Sequence, residues 1–180
     1  MGPFPILTER MLLREFRRED DLSIDAFACD AEVTQHTSWG PNDLDITRSV
    51  LDRWILDQNQ WPRTSIPLAI ELRSTGKVIG STGFASIECS TGVFGFVLRR
   101  EFWGIGLATE ASQALIEFGF KQLNLHRVAA ECFVEQKASI RIFEKLRMRR
   151  EAHFVQNASK SGVWRDTYLY ALLSDEWDQS

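Results

Sequence analysis

Three strand-like runs, Ile66 to Leu72, Val78 to Ile87 and Val93 to Leu98, follow one another with only Ser74-Thr75-Gly76-Lys77 and Cys89-Ser90-Thr91-Gly92 as separators. Connections that short turn a chain back beside itself, so the runs predict an antiparallel meander. The next segment changes period. From Gly106 to about Gln122, Leu107, Ala111, Ala114, Leu115 and Phe118 recur on one face with Glu110, Glu117 and Lys121 opposite, the pattern of an amphipathic helix. His126 to Val134 then reads as a buried strand. A crossover helix returns the chain in its starting direction, so that strand needs a parallel neighbour. The prediction is an α/β (α+β) chain with a mixed, mostly antiparallel sheet.

The flanks add further elements. An opening strand spans Ile6 to Phe16, and the acidic pair Asp20-Asp21 suits the first turn of a helix running to about Ala31. Pro41-Asn42-Asp43 introduces a second amphipathic segment, with Leu44, Val50, Leu51, Trp54 and Ile55 at near-helical spacing, which Pro62 stops. Ala138 to Leu146 reads as a short helix, and two closing strands are joined by Asn157 to Gly162. No repeat, charge block or Gly/Ser/Pro linker divides the chain, so residues 1–180 are expected to form one domain.

Charge excludes some functions. With 21 Lys+Arg against 25 Asp+Glu, a net −4, the chain has no basic surplus for a nucleic-acid backbone. Its longest apolar stretch, Val93 to Leu98, is far short of the roughly 20 residues that cross a bilayer. Neither nucleic acid nor membrane is an expected partner. The amino terminus MGPFPILTER lacks a charged region followed by an apolar one, and Ile6 stands where a myristoylation signal has Ser or Thr. Three widely spaced cysteines, Cys29, Cys89 and Cys132, suit buried thiols in a reducing compartment better than disulfides or a zinc site. The cytoplasm is the expected location, and no metal is expected.

The segment Val97-Leu98-Arg99-Arg100-Glu101-Phe102-Trp103-Gly104-Ile105-Gly106-Leu107-Ala108-Thr109 carries the chemistry. A strand ends in a glycine loop that opens directly into the best helix, whose first-turn N–H groups and positive dipole end face outward. That arrangement is an anion cradle, and Arg99 and Arg100 would add mobile positive charge for phosphates. Two glycines alone equally describe a tight strand-to-helix turn. A P-loop needs Gly-Lys-Ser or Gly-Lys-Thr, which is absent. A dinucleotide fingerprint needs a small residue where Thr109 stands and parallel strands where the meander lies.

The run Gly95-Phe96-Val97-Leu98 through Glu101-Phe102-Trp103-Gly104-Ile105-Gly106-Leu107-Ala108-Thr109-Glu110-Ala111 resembles the acetyl-CoA loop of the GNAT superfamily of N-acetyltransferases. More narrowly, it resembles the RimJ/RimL branch of ribosomal-protein N-terminal acetyltransferases and their relatives. The likeness extends to Leu7-Thr8-Glu9-Arg10-Met11-Leu12-Leu13-Arg14, Leu125-His126-Arg127-Val128, Ala138 to Leu146, Trp164-Arg165-Asp166 and Tyr168-Leu169-Tyr170. It implies the GNAT sheet, about seven strands with about four helices and a splayed strand pair for acetyl-CoA. It further implies that the backbone of Val97, Leu98 and Arg99 holds the pantetheine amides. Amides of Phe102, Trp103, Gly104, Ile105, Gly106, Leu107, Ala108 and Thr109 would hold the diphosphate, and Gln136, Ser139 and Phe143 would border the cofactor. Departures are Glu101 for the usual Gln or Arg, Gln136 for Asn, and Arg147-Met148 for Gly-Phe. Arg147 would be strained if the helix end still needs a positive φ.

In related enzymes a serine at the position of Ser139 is implied to protonate the departing thiolate. Read on its own, Ser139 equally suits a helix cap. Relatives have a Glu that assists deprotonation of the amine, and Val93 stands at that position. An α-amino group of pKa near 7.8 is roughly 30% neutral at pH 7.4, against about 0.1% for a lysine near 10.4, a difference of about 3.5 kcal/mol. The acceptor is therefore expected to be a low-pKa amine, foremost a peptide or protein N-terminus. A small amine such as a polyamine, an aminoglycoside or an amino-acid-like antibiotic is the alternative, as is a catalytically silent acyl-CoA-binding module. His36, Trp39 and Trp164 are the candidate acceptor-binding residues, with Trp54 read as core. Glu88, Glu131 and Asp166 read as solvated or ion-paired charges, and the resemblance suggests a homodimer.

Overall fold

The structure, a computed structural model, describes residues 4–178; Met1 to Pro3, where the amino-terminal reading begins, and Gln179-Ser180 lie outside them. Among the described residues, β1 (Ile6–Leu7), β2 (Met11–Arg14), β3 (Ile66–Leu72), β4 (Val78–Glu88), β5 (Thr91–Leu98), β6 (Arg127–Phe133), β7 (Arg149–Lys160) and β8 (Val163–Leu173) make one sheet. Its order is β1-β2-β3-β4-β5-β6-β8-β7. The helices are α1 (Asp21–Ala28), α2 (Ala31–Thr34), α3 (Leu44–Asp57), α4 (Leu107–Gln122), α5 (Lys137–Lys145) and α6 (Ser174–Asp178).

Eight strands stand where about seven are expected because the opening strand is a hairpin. The Thr8 amide and hydroxyl both donate to the Met11 carbonyl, at 3.0 and 3.1 Å, and fold the chain at Thr8–Arg10. The first predicted helix likewise breaks in two. Asp30 adopts an extended backbone and accepts hydrogen bonds from the Glu32 and Val33 amides, so it caps α2 instead of continuing α1. Asp43 caps α3 in the same way through the Ile46 amide. The closing hairpin turns only at Ser161-Gly162, both with positive φ, so its strands run longer than the sequence suggested.

Side-chain alternation gives the sheet two packed faces. Phe94 and Leu98 of β5 join Leu107, Ala111, Leu115 and Phe143 on the α4–α5 face. Val97 points the other way, into a second core with Phe16, Ile24, Phe27 and Leu51 from the α1–α3 layer. Beneath that layer Arg14, 6% exposed, donates to Asp20 at 2.7 and 2.8 Å and to Glu71 at 2.6 Å. Asp20, expected at a helix's first turn, is thus the buried partner that satisfies a buried guanidinium.

The strand after the helix meets the predicted parallel neighbour, and the two diverge. β5 and β6 pair only at Thr91–Arg127, Gly92–Val128 and Val93–Ala129. Beyond that, β5 stays with β4 out to Leu98 while β6 follows β8 from Leu173 to Thr167. A wedge opens between Phe94–Leu98 and Ala130–Phe133.

The cysteine reading is corrected in part. Cys132 is buried, but Cys29 and Cys89 are exposed, because one closes α1 and the other takes a tight-turn position at φ 47°. No helix among the described residues is long and apolar enough to cross a membrane.

Candidate active site

The wedge leads into an open cavity of about 600 Å³. Its walls come from β4 and β5 (Thr82, Phe94, Gly95, Phe96, Val97), from β6 (Glu131, Cys132, Phe133), from the start of α5 (Gln136, Ser139, Phe143) and from the α2–α3 layer (His36, Trp39, Arg53, Trp54, Asp57).

At the narrow side of the wedge, hydrogen-bond parity decides which backbone groups are free. The Arg99 amide donates to Ile79 at 2.9 Å. In an antiparallel pair alternate residues face the partner, so Val97 and Arg99 are tied to β4 while Phe96 and Leu98 turn their N–H and C=O groups toward the gap. Phe96 is therefore a gap-facing residue that the sequence reading left out. The Leu98 carbonyl is already taken by the Trp103 indole N–H at 2.8 Å, which leaves the Phe96 groups and the Leu98 amide available.

Past Leu98 the chain makes a single 3-10 turn, Arg100–Phe102, and then the glycine loop. Gly104 and Gly106 have φ of 78° and 87°, left-handed values that side-chain-bearing residues rarely adopt. The first intrahelical bond of α4 is from Glu110 to the Gly106 carbonyl, so the amides from Gly104 to Thr109 have no partner among the described residues. A Cβ at Gly104 would meet nothing within 4 Å. This row of unpaired N–H groups at a helix's positive end suits a diphosphate.

The expected arginines do not serve this cradle. Arg100 binds Asp30 and Glu32, each at 2.7 Å, and Arg99 donates to the Ser23 carbonyl at 3.0 Å. Both guanidiniums clamp the loop to the α1–α2 layer, because acidic and carbonyl groups of that layer lie on the same side. Burial pushes the Arg99 pKa down against the pull of Glu101. The cation beside the loop is Arg10, whose Nη1 donates to the Ile105 carbonyl at 2.9 Å.

At the wide side, Ser139 is 5% exposed and is the third residue of α5, whose first is Lys137. Its hydroxyl has no hydrogen-bond partner among the described residues and borders the cavity. The helix's N-cap position is Gln136, which makes no side-chain cap. Phe143 is 2% exposed and contacts the rings of Phe94, Phe96 and Tyr170, so it floors the cavity while belonging to the core. Cys132 lies beside it, and burial pushes its thiol up to about 12.

His36 and Trp39 both reach the cavity, and the His36 Nδ1 is buried without a partner. The Trp39 and Gly40 carbonyls accept from Lys160 on the closing hairpin, which straps the loop down. Trp164 does not reach the cavity; at 61% exposed it points outward from the hairpin. Trp54 both stacks on Phe16, at 4.6 Å, and lines the cavity, so core and site share it. Of the acidic residues weighed in the sequence, Glu131 lines the cavity. Asp166 instead bonds His153 Nε2 at 2.6 Å and the Gln156 amide, contacts that hold its carboxyl below the usual range. Arg53 and Asp57 also enter the cavity and were missed, since nothing in an amphipathic helix pattern marks which polar residues overlook a gap. Among the described residues no three His, Cys, Asp or Glu side chains cluster as metal ligands.

Comparison with known proteins agrees with this geometry. Residues 10–149 match the family described as Acetyltransferase (GNAT) domain. The chain is 31% identical over 174 residues to the uncharacterized N-acetyltransferase YnaD of Bacillus subtilis (strain 168), covering 96% of this chain and 99% of that one. A GNAT-family acetyltransferase from Bacillus anthracis superposes with a TM-score of 0.86 at 28% identity, covering 96% of this chain and all of the other. RimL, the ribosomal L7/L12 alpha-N-protein acetyltransferase solved in complex with coenzyme A, shares the fold with a TM-score of 0.86 at 19% identity, over 94% of this chain and 98% of its own. The match to the domain, the full-length relative and the splayed sheet with its glycine loop together place this chain in the GNAT family of acetyl-CoA-dependent N-acetyltransferases.

Proposed function

We propose that this enzyme acetylates a low-pKa α-amino group, that of a peptide or protein N-terminus, with acetyl-CoA held in the wedge. The observation that carries this reading is Val93. It is the last residue of β5 paired to β6, at the point where the strands part, and the family resemblance sets it at the position of the relatives' Glu, so this position supplies no carboxylate; its own side chain is not among those lining the cavity. An acceptor that is already partly neutral needs less help there. The cavity is wide, open and walled by Trp39 and Trp54, which suits the first residues of an extended peptide.

The geometry above supports part of the cofactor assignment, Leu98 and the Gly104–Thr109 amides, whereas Val97 and Arg99 are tied to β4 and Phe96 takes their place. The gap-facing groups of Phe96 and Leu98 would hold the pantetheine arm and the Gly104–Thr109 amides the diphosphate. Bound there, the thioester supplies the acetyl carbon that the amine attacks. Ser139 is assigned the proton donor for the departing sulfur, since this largely buried residue borders the cavity and its hydroxyl has no other partner among the described residues. His36, Asp57 and Glu131 line the same cavity and can pass the amine's proton toward solvent.

Rates with a panel of dipeptides, Nα-blocked lysine and polyamines test the proposal. Peptides with free α-amines should give the highest kcat/KM, with a rate that rises through pH 7–8 as the amine deprotonates. A preference for the lysine side chain would refute it. The carboxylates of Asp57 and Glu131 favour a second reading, a small cationic amine, which a polyamine preference would establish. Ser139→Ala should lower kcat while leaving coenzyme A affinity unchanged; full turnover would remove its role.

A further inference from the structure

Arg10 sits in the turn between β1 and β2, nearly a hundred residues before the glycine loop in sequence, yet its guanidinium lies on that loop. Nη1 donates to the Ile105 carbonyl at 2.9 Å and Nε to Glu110 Oε2 at 2.6 Å, while the Arg10 amide donates to Glu110 Oε1 at 2.9 Å. Both carboxylate oxygens of Glu110 are thereby engaged by one residue. The remaining nitrogen, Nη2, lies 3.4 Å from where a Cβ on Gly106 would stand. Glu110 is in the first turn of α4, so its charge sits beside the amides that face outward. Left alone, that carboxylate would oppose any diphosphate bound there. Burial pushes its carboxyl up, and contacts from Thr8 and Arg10 more than offset this, keeping it ionised. The helix start therefore carries a permanent negative charge that must be neutralised locally, and Arg99 and Arg100 are committed elsewhere.

We propose that Arg10 is a positioning residue for the acyl-CoA diphosphate: it cancels Glu110 and pins the Ile105 carbonyl so that the Gly104–Thr109 amides meet the phosphates unopposed. This rests on the loop being the diphosphate cradle of the proposed site. Arg10 acts through the loop and through Glu110, and it does not touch the reacting atoms. The β1–β2 hairpin, which the sequence reading took as one plain strand, then has a function: it carries a cation to a loop whose own arginines face away.

Calorimetric titration of coenzyme A into four proteins tests this: wild type, Arg10→Met, Glu110→Gln and the double variant. Arg10→Met should bind about tenfold more weakly, the size expected for one lost charge-assisted contact. Glu110→Gln removes the charge that Arg10 cancels, so it should bind as tightly as wild type or tighter. The double variant should recover to within about threefold of wild type, the coupling expected for residues in contact. If Arg10 and Glu110 merely brace the fold, each single variant breaks the same pair and both weaken binding alike; that result overturns the inference. Wild-type affinity in Arg10→Met overturns it too. Should Arg10→Met not fold, weaker binding by Glu110→Gln alone is enough to refute it. Failure of the wild-type protein to bind coenzyme A would instead remove the cradle reading on which the inference stands.

Discussion

Replacing Arg147 with glycine should stabilise this protein, because the end of α5 is built for a residue without a side chain. The Met148 amide donates to the Phe143 carbonyl and the Arg147 amide to that of Glu144, both at 3.0 Å, a Schellman closure with Arg147 as its left-handed residue at φ 58°. Met148 and Phe143 are both buried in the main core, which holds the closure in place. An L-residue in that conformation costs about 1–2 kcal/mol. Glycine removes that cost but loses roughly 0.5–1 kcal/mol of extra chain entropy on folding, leaving a net gain of about 0.5–1 kcal/mol. At about 2–4 °C per kcal/mol for a chain this size, the melting temperature should rise by roughly 1–4 °C. Arg147 is exposed and its side chain makes no hydrogen bond or ion pair among the described residues, so Arg147→Ala, which keeps the strain, should change stability by less than about 0.5 kcal/mol. Differential scanning calorimetry of the three proteins decides the matter. A glycine variant melting no higher than the alanine variant would show that the backbone is not strained there.

Three other outcomes follow from the packing and the charges. Asp20→Ala leaves the buried Arg14 guanidinium with Glu71 as its remaining carboxylate partner, and denaturant titration should show a loss of about 3 kcal/mol, the low end for breaking a buried ion pair. Gly95→Leu adds a side chain where a Cβ meets nothing within 4 Å, on the β5 stretch that lines the cavity; it should raise KM for the amine at least severalfold with little change in melting temperature. The Arg127 guanidinium, helped by Arg149, holds the Glu151 carboxyl below its ordinary value, so its contribution is present above the unfolded pKa of about 4.3 and fades as pH falls through the folded one. Urea unfolding should therefore show constant stability from neutral pH down to about 5 and a decline below it, and Arg127→Gln should flatten that decline.

The order of elements was legible because it depends on local pattern. The short separators at Ser74–Lys77 and Cys89–Gly92 force a meander, the 3.6-residue period from Leu107 to Phe118 forces a helix, and a helix between strands forces a parallel return. Gly104 and Gly106 marked the anion cradle for the same reason, since a positive φ is a property of one residue and its neighbours. Contacts across the sheet were not legible. Arg99 and Arg100 looked like phosphate ligands beside the loop, but acidic and carbonyl groups some seventy residues earlier in the chain claim them, and Arg10 takes the place by the loop. Which of Val97, Phe96 and Leu98 faces the gap depends on hydrogen-bond parity with β4, set by a single register that no one-residue pattern encodes. Trp39 was the better pocket candidate in sequence and Trp164 a further one, and only the tertiary structure, with Lys160 bonded to the Trp39 carbonyl, shows that Trp39 lines the cavity and Trp164 does not. Local propensity thus fixed the elements, while the pairing of distant charges and strands decided which side chains meet in the wedge.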